Sequence, residues 1–239
     1  MKHSVRTIPI RFLAWIGQHE LAVLFTFATL AAGVLIFALI AGEVMHGETQ
    51  ALDRNLLLAM HVESPELEDA ARDLTALGGI AVLTLLTLFT GGYLLLNGRK
   101  HMGLFVWGSV LSGTLVDMLL KDLYHRPRPD LLPHGSYAST TSFPSGHSML
   151  SAVTYLTLGA LLARSHRRKR LKAYFLLIAA LLTVLVGLSR VALGVHWPTD
   201  VLAGWTAGAS WSALCWLVAR RLQLHQIIEP ETDAWNPLI

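Results

Sequence analysis

The chain is 239 residues long, 53% hydrophobic and only 15% charged, with a formal net charge of +3 and a mean hydropathy of +0.50. A soluble domain of this size must wet its surface and seldom carries so much apolar material, so the composition excludes an ordinary water-soluble enzyme and points to a membrane protein. The single cysteine, Cys215, lies in an apolar stretch, which rules out an intramolecular disulfide and reads as a small packing residue.

A helix needs about 20 largely apolar residues to cross the hydrocarbon core. Leu21–Gly42 satisfies this without a charge. It exceeds the apolar region of about 7–15 residues in a cleaved signal peptide and is expected to stay as a helix. The segment Glu43–Gly79 is polar and acidic, with Glu43, Glu48, Asp53, Glu63, Glu66, Glu68, Asp69 and Asp73. Within it Ser64-Pro65 reads as a helix cap followed by proline at the first helical position. Leu67, Ala70, Ala71, Leu74 and Leu77 then recur at helical spacing, and Leu52, Leu56 and Met60 form a shorter stripe. Two interfacial amphipathic helices packed on the outer face of a bundle are expected here. Further spans are expected at Ile80–Leu96, Met102–Leu120, Ser145–Ala163, Ala173–Leu188 and Val201–Val218; the fourth and fifth of the six are short and rich in Ser, Thr or Gly, as where membrane helices pack closely. The loop Tyr124–Ser142 carries Pro127, Pro129, Pro133 and Gly135 and should be irregular. The tail from Leu222, with Pro230 and Pro237, is expected to be loosely ordered. The expected fold class is all-α: one polytopic membrane domain over 1–239 with six transmembrane helices.

Cationic residues bias loops toward the cytoplasm. Lys2, Arg6 and Arg11 precede the first span, Arg99 and Lys100 follow the second, and Arg220 and Arg221 follow the sixth. The run Arg164, Arg167, Arg168, Lys169, Arg170 and Lys172 follows the fourth and reads as a topology anchor, not a nucleic-acid site. The alternate segments hold only Arg54, Arg72, Lys121, Arg126, Arg128 and Arg190. Both termini are therefore expected in the cytoplasm, and the ends of the spans nearest Lys121, His147, Arg190 and Asp200 should share the outer face.

Three clusters sit at those ends: Lys121-x6-Arg128-Pro129, Pro144-Ser145-Gly146-His147, and Ser189-Arg190-x5-His196-x3-Asp200. Arginine offers a planar fork to two phosphate oxygens and lysine a point charge, so Lys121, Arg128 and Arg190 match the oxygens of a phosphoryl group in transfer. Gly146 lets the main chain approach an anion at a helix start, and Ser145 adds a hydroxyl. A neutral imidazole is a competent nucleophile when a carboxylate holds its other nitrogen, and Asp200 follows His196 closely enough to do so. Arg126 reads as a structural or snorkelling cation, and Asp117, one turn before Lys121, as its partner. No metal-ligand spacing such as His-x3-His appears, and no metal or other cofactor is expected.

In order and together, the three clusters resemble the signature of the type-2 phosphatidic acid phosphatase and vanadium haloperoxidase superfamily. The resemblance runs from Leu111 to Gly208 and includes Leu193-Gly194-Val195-His196-Trp197-Pro198-Thr199-Asp200, a form similar to that of bacterial membrane-embedded members. It implies that His196 attacks phosphorus to form a phosphohistidine oriented by Asp200. His147 would protonate the leaving oxygen and then activate water, while Lys121, Arg128, Ser145, Gly146 and Arg190 hold the phosphoryl group without a metal. The expected substrate is a membrane lipid phosphate: undecaprenyl pyrophosphate, phosphatidylglycerol phosphate, phosphatidic acid or a lipid A phosphate. The bilayer is the expected partner, nucleic acid is not, and the bacterial inner membrane with a periplasm-facing site is the expected location. Phosphotransfer to a lipid acceptor and transport or flipping are the alternatives. His125 and His134 lie in the motif loop near a prospective headgroup.

Overall fold

The computed structural model describes residues 10–131 and 141–228, with side chains from Leu21 onward. They form eight helices: α1 Ile10–His46, α2 Gln50–Met60, α3 Pro65–Ala76, α4 Ile80–Leu96, α5 Lys100–Leu123, α6 Gly146–Arg164, α7 Lys169–Ala192 and α8 Pro198–Leu224. Six stretches are long and apolar enough to span a membrane. The expected all-α, six-span architecture is what the described residues adopt. His134, in the motif loop, lies outside them.

The helices run beyond the apolar spans read from the sequence. α5 begins at Lys100 and ends at Leu123, and α7 covers Lys169–Ala192, because a helix can place its charged end turns among headgroups while its middle sits in lipid. α4 alone has 17 residues, about 25 Å at 1.5 Å per residue, which is short for a span. Only the 77–79 turn separates it from α3, and the apolar stretch counted as one unit is Pro65–Leu96. The amphipathic helix starts as expected, with Ser64 Oγ accepting from Leu67 N–H at 3.3 Å and Pro65 in the first turn.

α6 is the centre of the bundle. Ser148, Met149, Ala152, Val153 and Thr154 are buried all round it, whereas α1 and α4 turn Phe25, Phe27, Leu85 and Phe89 outward. The α6–α8 crossing depends on small residues. A Cβ on Gly204 would stand 2.6 Å from Ser145 O, and one on Gly208 would stand 2.5 Å from Met149 O, so any side chain there forces the helices apart. Three indole N–H groups tie neighbouring helices to main-chain carbonyls: Trp107 to Thr87 O at 3.0 Å, Trp205 to Thr183 O at 3.0 Å and Trp211 to Ser109 O at 3.1 Å. Away from water such bonds have no competing solvent partner.

Of the tail expected to be loosely ordered, 229–239 lie outside the described residues. α8 continues to Leu224, and Ile228 is buried with Leu94, Met102 and Val106. An apolar residue four positions past the helix found a cleft between α4 and α5, which the polar composition of the tail concealed.

Candidate active site

Four helix ends meet at one end of the bundle. The last turn of α5 brings Lys121, the first turn of α6 brings Gly146 and His147, the last turn of α7 brings Arg190, and the first turn of α8 brings Asp200. The α7–α8 connection is short because α7 stops on a glycine. Gly194 has φ of +71°, its N–H bonds Val191 O at 2.9 Å and Val195 N–H bonds Arg190 O at 3.2 Å, the paired bonds of a left-handed helix stop. This reverses the chain and points His196 back into the bundle. Pro198 then opens α8 and Asp200 Oδ2 accepts the Trp197 N–H at 3.0 Å, so the carboxylate caps its own helix while facing the imidazole.

His196 is 2% exposed. Its Nδ1 lies 3.4 Å from Asp200 Oδ2 and its Nε2 lies 3.0 Å from Arg128 Nη1. A guanidinium only donates, so Nε2 must be the bare nitrogen and the ring proton sits on Nδ1, toward the carboxylate. Burial lowers the imidazole to about 4, against the opposing pull of Asp200, which keeps the ring neutral near pH 7. A neutral ring with its lone pair beside a cation has the form that attack on a bound anion would require.

The expected phosphate-binding groups gather around it. Arg128 also donates to Val195 O at 2.9 Å. Arg190 is 3% exposed, donates to Thr75 Oγ1 at 3.0 Å, and leaves its buried Nε without a partner among the described residues. Lys121 Nζ lies 3.3 Å from Asp117 Oδ1 and donates to Pro144 O at 2.5 Å, so Asp117 is the lysine's partner as read. A Cβ on Gly146 would stand 3.3 Å from that Nζ, which puts bare main chain against the cation. His147, partly exposed, lies within the electrostatic reach of Arg190, His196, Arg128 and Lys121. Ser145 is fully buried; its N–H donates to Asp200 O at 3.0 Å and its Oγ accepts from Ser148 Oγ at 3.0 Å. All eight residues expected at the site therefore converge, with Ser145 beneath it as a strut between α6 and α8.

Several residues at the site were not singled out from the sequence. Ser142 donates to Asp200 Oδ2 at 2.5 Å and lies 3.4 Å from His196 Nδ1. Phe143 beside it is fully buried against Phe37 and Tyr124, with ring centroids 5.8 and 5.2 Å away, an aromatic seat that holds the 142–145 segment. Arg126, read as structural, bridges Asp200 Oδ1 and Asp53 Oδ2 at 2.6 Å each. The only signals available were the arginine's place two residues before Arg128 and the acidity of the segment around Asp53.

A protein-family model described as the PAP2 superfamily matches residues 102–224. The chain belongs to that superfamily. It is 32% identical over 177 residues to a phosphatidylglycerophosphatase B of Bacillus subtilis (strain 168), spanning 73% of this chain and 86% of that protein. It is 29% identical to a lipid A 1-phosphatase of Rhizobium etli, over 64% of this chain and 69% of the relative. The crystal structure of a transmembrane PAP2 type phosphatidylglycerolphosphate phosphatase from Bacillus subtilis superposes with a TM-score of 0.76 at 29% identity, covering 82% of this chain and 98% of that one. The chain is thus a multi-pass membrane protein and a phosphatase of the PAP2 superfamily, and the likeness reaches into the helices that precede the matched segment.

Proposed function

We propose that this PAP2 phosphatase hydrolyses the phosphate or pyrophosphate group of a membrane lipid, without a metal, through a phosphohistidine on His196. The observation that carries the reading is the division of one ring, with Nε2 beside Arg128 and Nδ1 toward Asp200. In the first step the Nε2 lone pair forms a bond to phosphorus as the bond from phosphorus to the lipid oxygen breaks. His147 enters protonated and gives its proton to that departing oxygen. Asp200 balances the positive charge that grows on the His196 ring. In the second step a water oxygen attacks phosphorus while His147 takes a proton from it. The P–N bond breaks, phosphate leaves, and His147 is again protonated. Lys121, Arg128, Arg190 and the main chain at Gly146 hold the phosphoryl oxygens throughout, with Ser145 bracing that helix start from beneath, an arrangement of charge fixed before the substrate arrives.

A lipid is favoured because the site lies at the ends of helices long and apolar enough to span a membrane, and because relatives bear the names of lipid phosphatases. The alternation of Lys and Arg between loops favours a periplasm-facing site, with both termini in the cytoplasm of a bacterium and the protein in its inner membrane. Undecaprenyl pyrophosphate, phosphatidylglycerol phosphate and phosphatidic acid are the substrates to assay first, with and without chelator. Quenching into alkaline denaturant during turnover of a lipid labelled in its phosphoryl group should leave acid-labile label on the wild-type protein and none on His196→Ala, whose turnover should fall by about 10⁴-fold or more. Undiminished labelling of that variant overturns the assignment.

A further inference from the structure

Asp53 belongs to α2, outside residues 102–224 that match the family, and is only 1% exposed. A carboxylate so buried must be paired and hydrogen-bonded, and both oxygens of this one are engaged. Its Oδ1 accepts the Thr199 N–H at 3.0 Å, and its Oδ2 accepts Thr199 Oγ1 at 2.7 Å and Arg126 Nη2 at 2.6 Å. Arg126 gives its other arm, Nη1, to Asp200 Oδ1 at 2.6 Å and to Thr199 Oγ1 at 2.8 Å. The second oxygen of Asp200 faces His196. The contacts run in one line from carboxylate to guanidinium to carboxylate to imidazole, and from an outer helix to the centre of the site.

We infer that Asp53 is a positioning residue for the reaction: acting through Arg126, it fixes the orientation of Asp200 and sets how much negative charge Asp200 can offer the attacking histidine. The inference rests on His196 being the nucleophile. With both carboxylates present, the Arg126 charge is shared between them. Without the Asp53 charge, the guanidinium acts on Asp200 alone and draws it away from Nδ1, where positive charge grows as phosphorus is attacked. Lys121 and Arg190 make none of these contacts, so the grip on the phosphoryl group is untouched. The chemical step suffers while binding does not.

The test uses the full chain in detergent micelles with phosphatidylglycerol phosphate. It reads kcat, KM and the rate of alkali-stable, acid-labile histidine labelling per monodisperse molecule. Asp53→Asn should lower kcat and the labelling rate together by about 10–100-fold, as small displacements of reacting groups do, and leave KM within about twofold. In an Arg126→Met background the same substitution should change kcat by less than about twofold, since the link is already cut. A residue that merely docks α2 would cost the same in both backgrounds, and that result, or a wild-type kcat for Asp53→Asn, overturns the inference. Should Asp53→Asn yield no monodisperse protein, Arg126→Lys takes its place. It keeps the charge but cannot fork between two carboxylates, and a wild-type kcat there is equally fatal. His196→Ala separates the two readings. If it still turns over, the nucleophile assignment fails; if it is dead while Asp53→Asn behaves as wild type, only the role of Asp53 fails.

Discussion

The groups read as meeting the substrate come from α5–α8 and their connections, whereas Asp53 and Thr75, which hold the partners of that set, come from the two short helices before α4. The two regions differ in how completely their polar atoms are used. Asp53 accepts three hydrogen bonds, with both of its oxygens engaged by protein donors. Arg190, nearly as buried, keeps an unpartnered Nε among the described residues, and the His147 ring is partly open. An unmet buried donor costs about 1–3 kcal/mol, a cost that an arriving phosphate oxygen removes. Saturation marks the residues that hold, and deficit marks those that wait. The α2–α3 hairpin is held to the same place by main-chain contacts as well, with Val62 N–H on Ala192 O at 3.2 Å and His61 Nδ1 on the same oxygen at 3.0 Å.

That contrast breaks most visibly at the waiting residues. His147→Ala should lower turnover of a lipid phosphate by about 10²–10⁴-fold, the usual worth of a general acid, without weakening inhibition by inorganic phosphate. An activated aryl phosphate, whose leaving oxygen needs no proton, should lose far less. Equal losses on the two substrates would mean that His147 does something other than protonate the leaving group.

The holding residues should give smaller effects, confined to what they hold. Thr75→Val removes the acceptor on which Arg190 Nη1 rests. A hydrogen bond to a charged group is worth about 1.5–3 kcal/mol, but the guanidinium keeps its other neighbours. The inhibition constant for inorganic phosphate should rise by about 3–10-fold with the trapped phosphohistidine still formed. If phosphate binding in Thr75→Val matches the wild type, Arg190 is positioned by something else and the two regions are less coupled than the contacts suggest.

The same contrast explains what the sequence disclosed. Lys121, Arg128, Gly146, His147, Arg190, His196 and Asp200 sit in short runs whose residue types make chemical sense together, and the ends of apolar stretches told where those runs would meet. Asp53 was one of eight acids in Glu43–Gly79, and nothing within that segment distinguishes it. Its role arises from a contact across 146 residues to Thr199, which no local pattern records. Ser142 is a similar case, an ordinary loop serine until Phe143 is packed against Phe37 and Tyr124. Helix ends followed the same logic. The apolar spans showed where lipid is, but Gly194 and the Trp197–Asp200 cap decide how α7 gives way to α8.

The smallest effect expected is that of mild acid on the proposed nucleophile. Burial lowers His196 to about 4, below the ordinary value of about 6.5. At pH 5 an ordinary imidazole would be roughly 3% neutral, whereas one at 4 would be roughly 90% neutral. Labelling of His196 by an activated aryl phosphate in the His147→Ala background should therefore change by less than about twofold between pH 7 and pH 5, after division by the substrate's own ionisation. Stability responds in the opposite sense to this indifference. Between about 4 and 6.5 the unfolded chain binds a proton that the native site refuses. The His196 contribution is thus fully present above that window and declines as pH falls through it. Labelling that drops along a curve centred near 6.5 would mean the ring is open to water. The saturated shell of Ser142, Asp200 and Arg128 would then not be the environment in which the imidazole reacts.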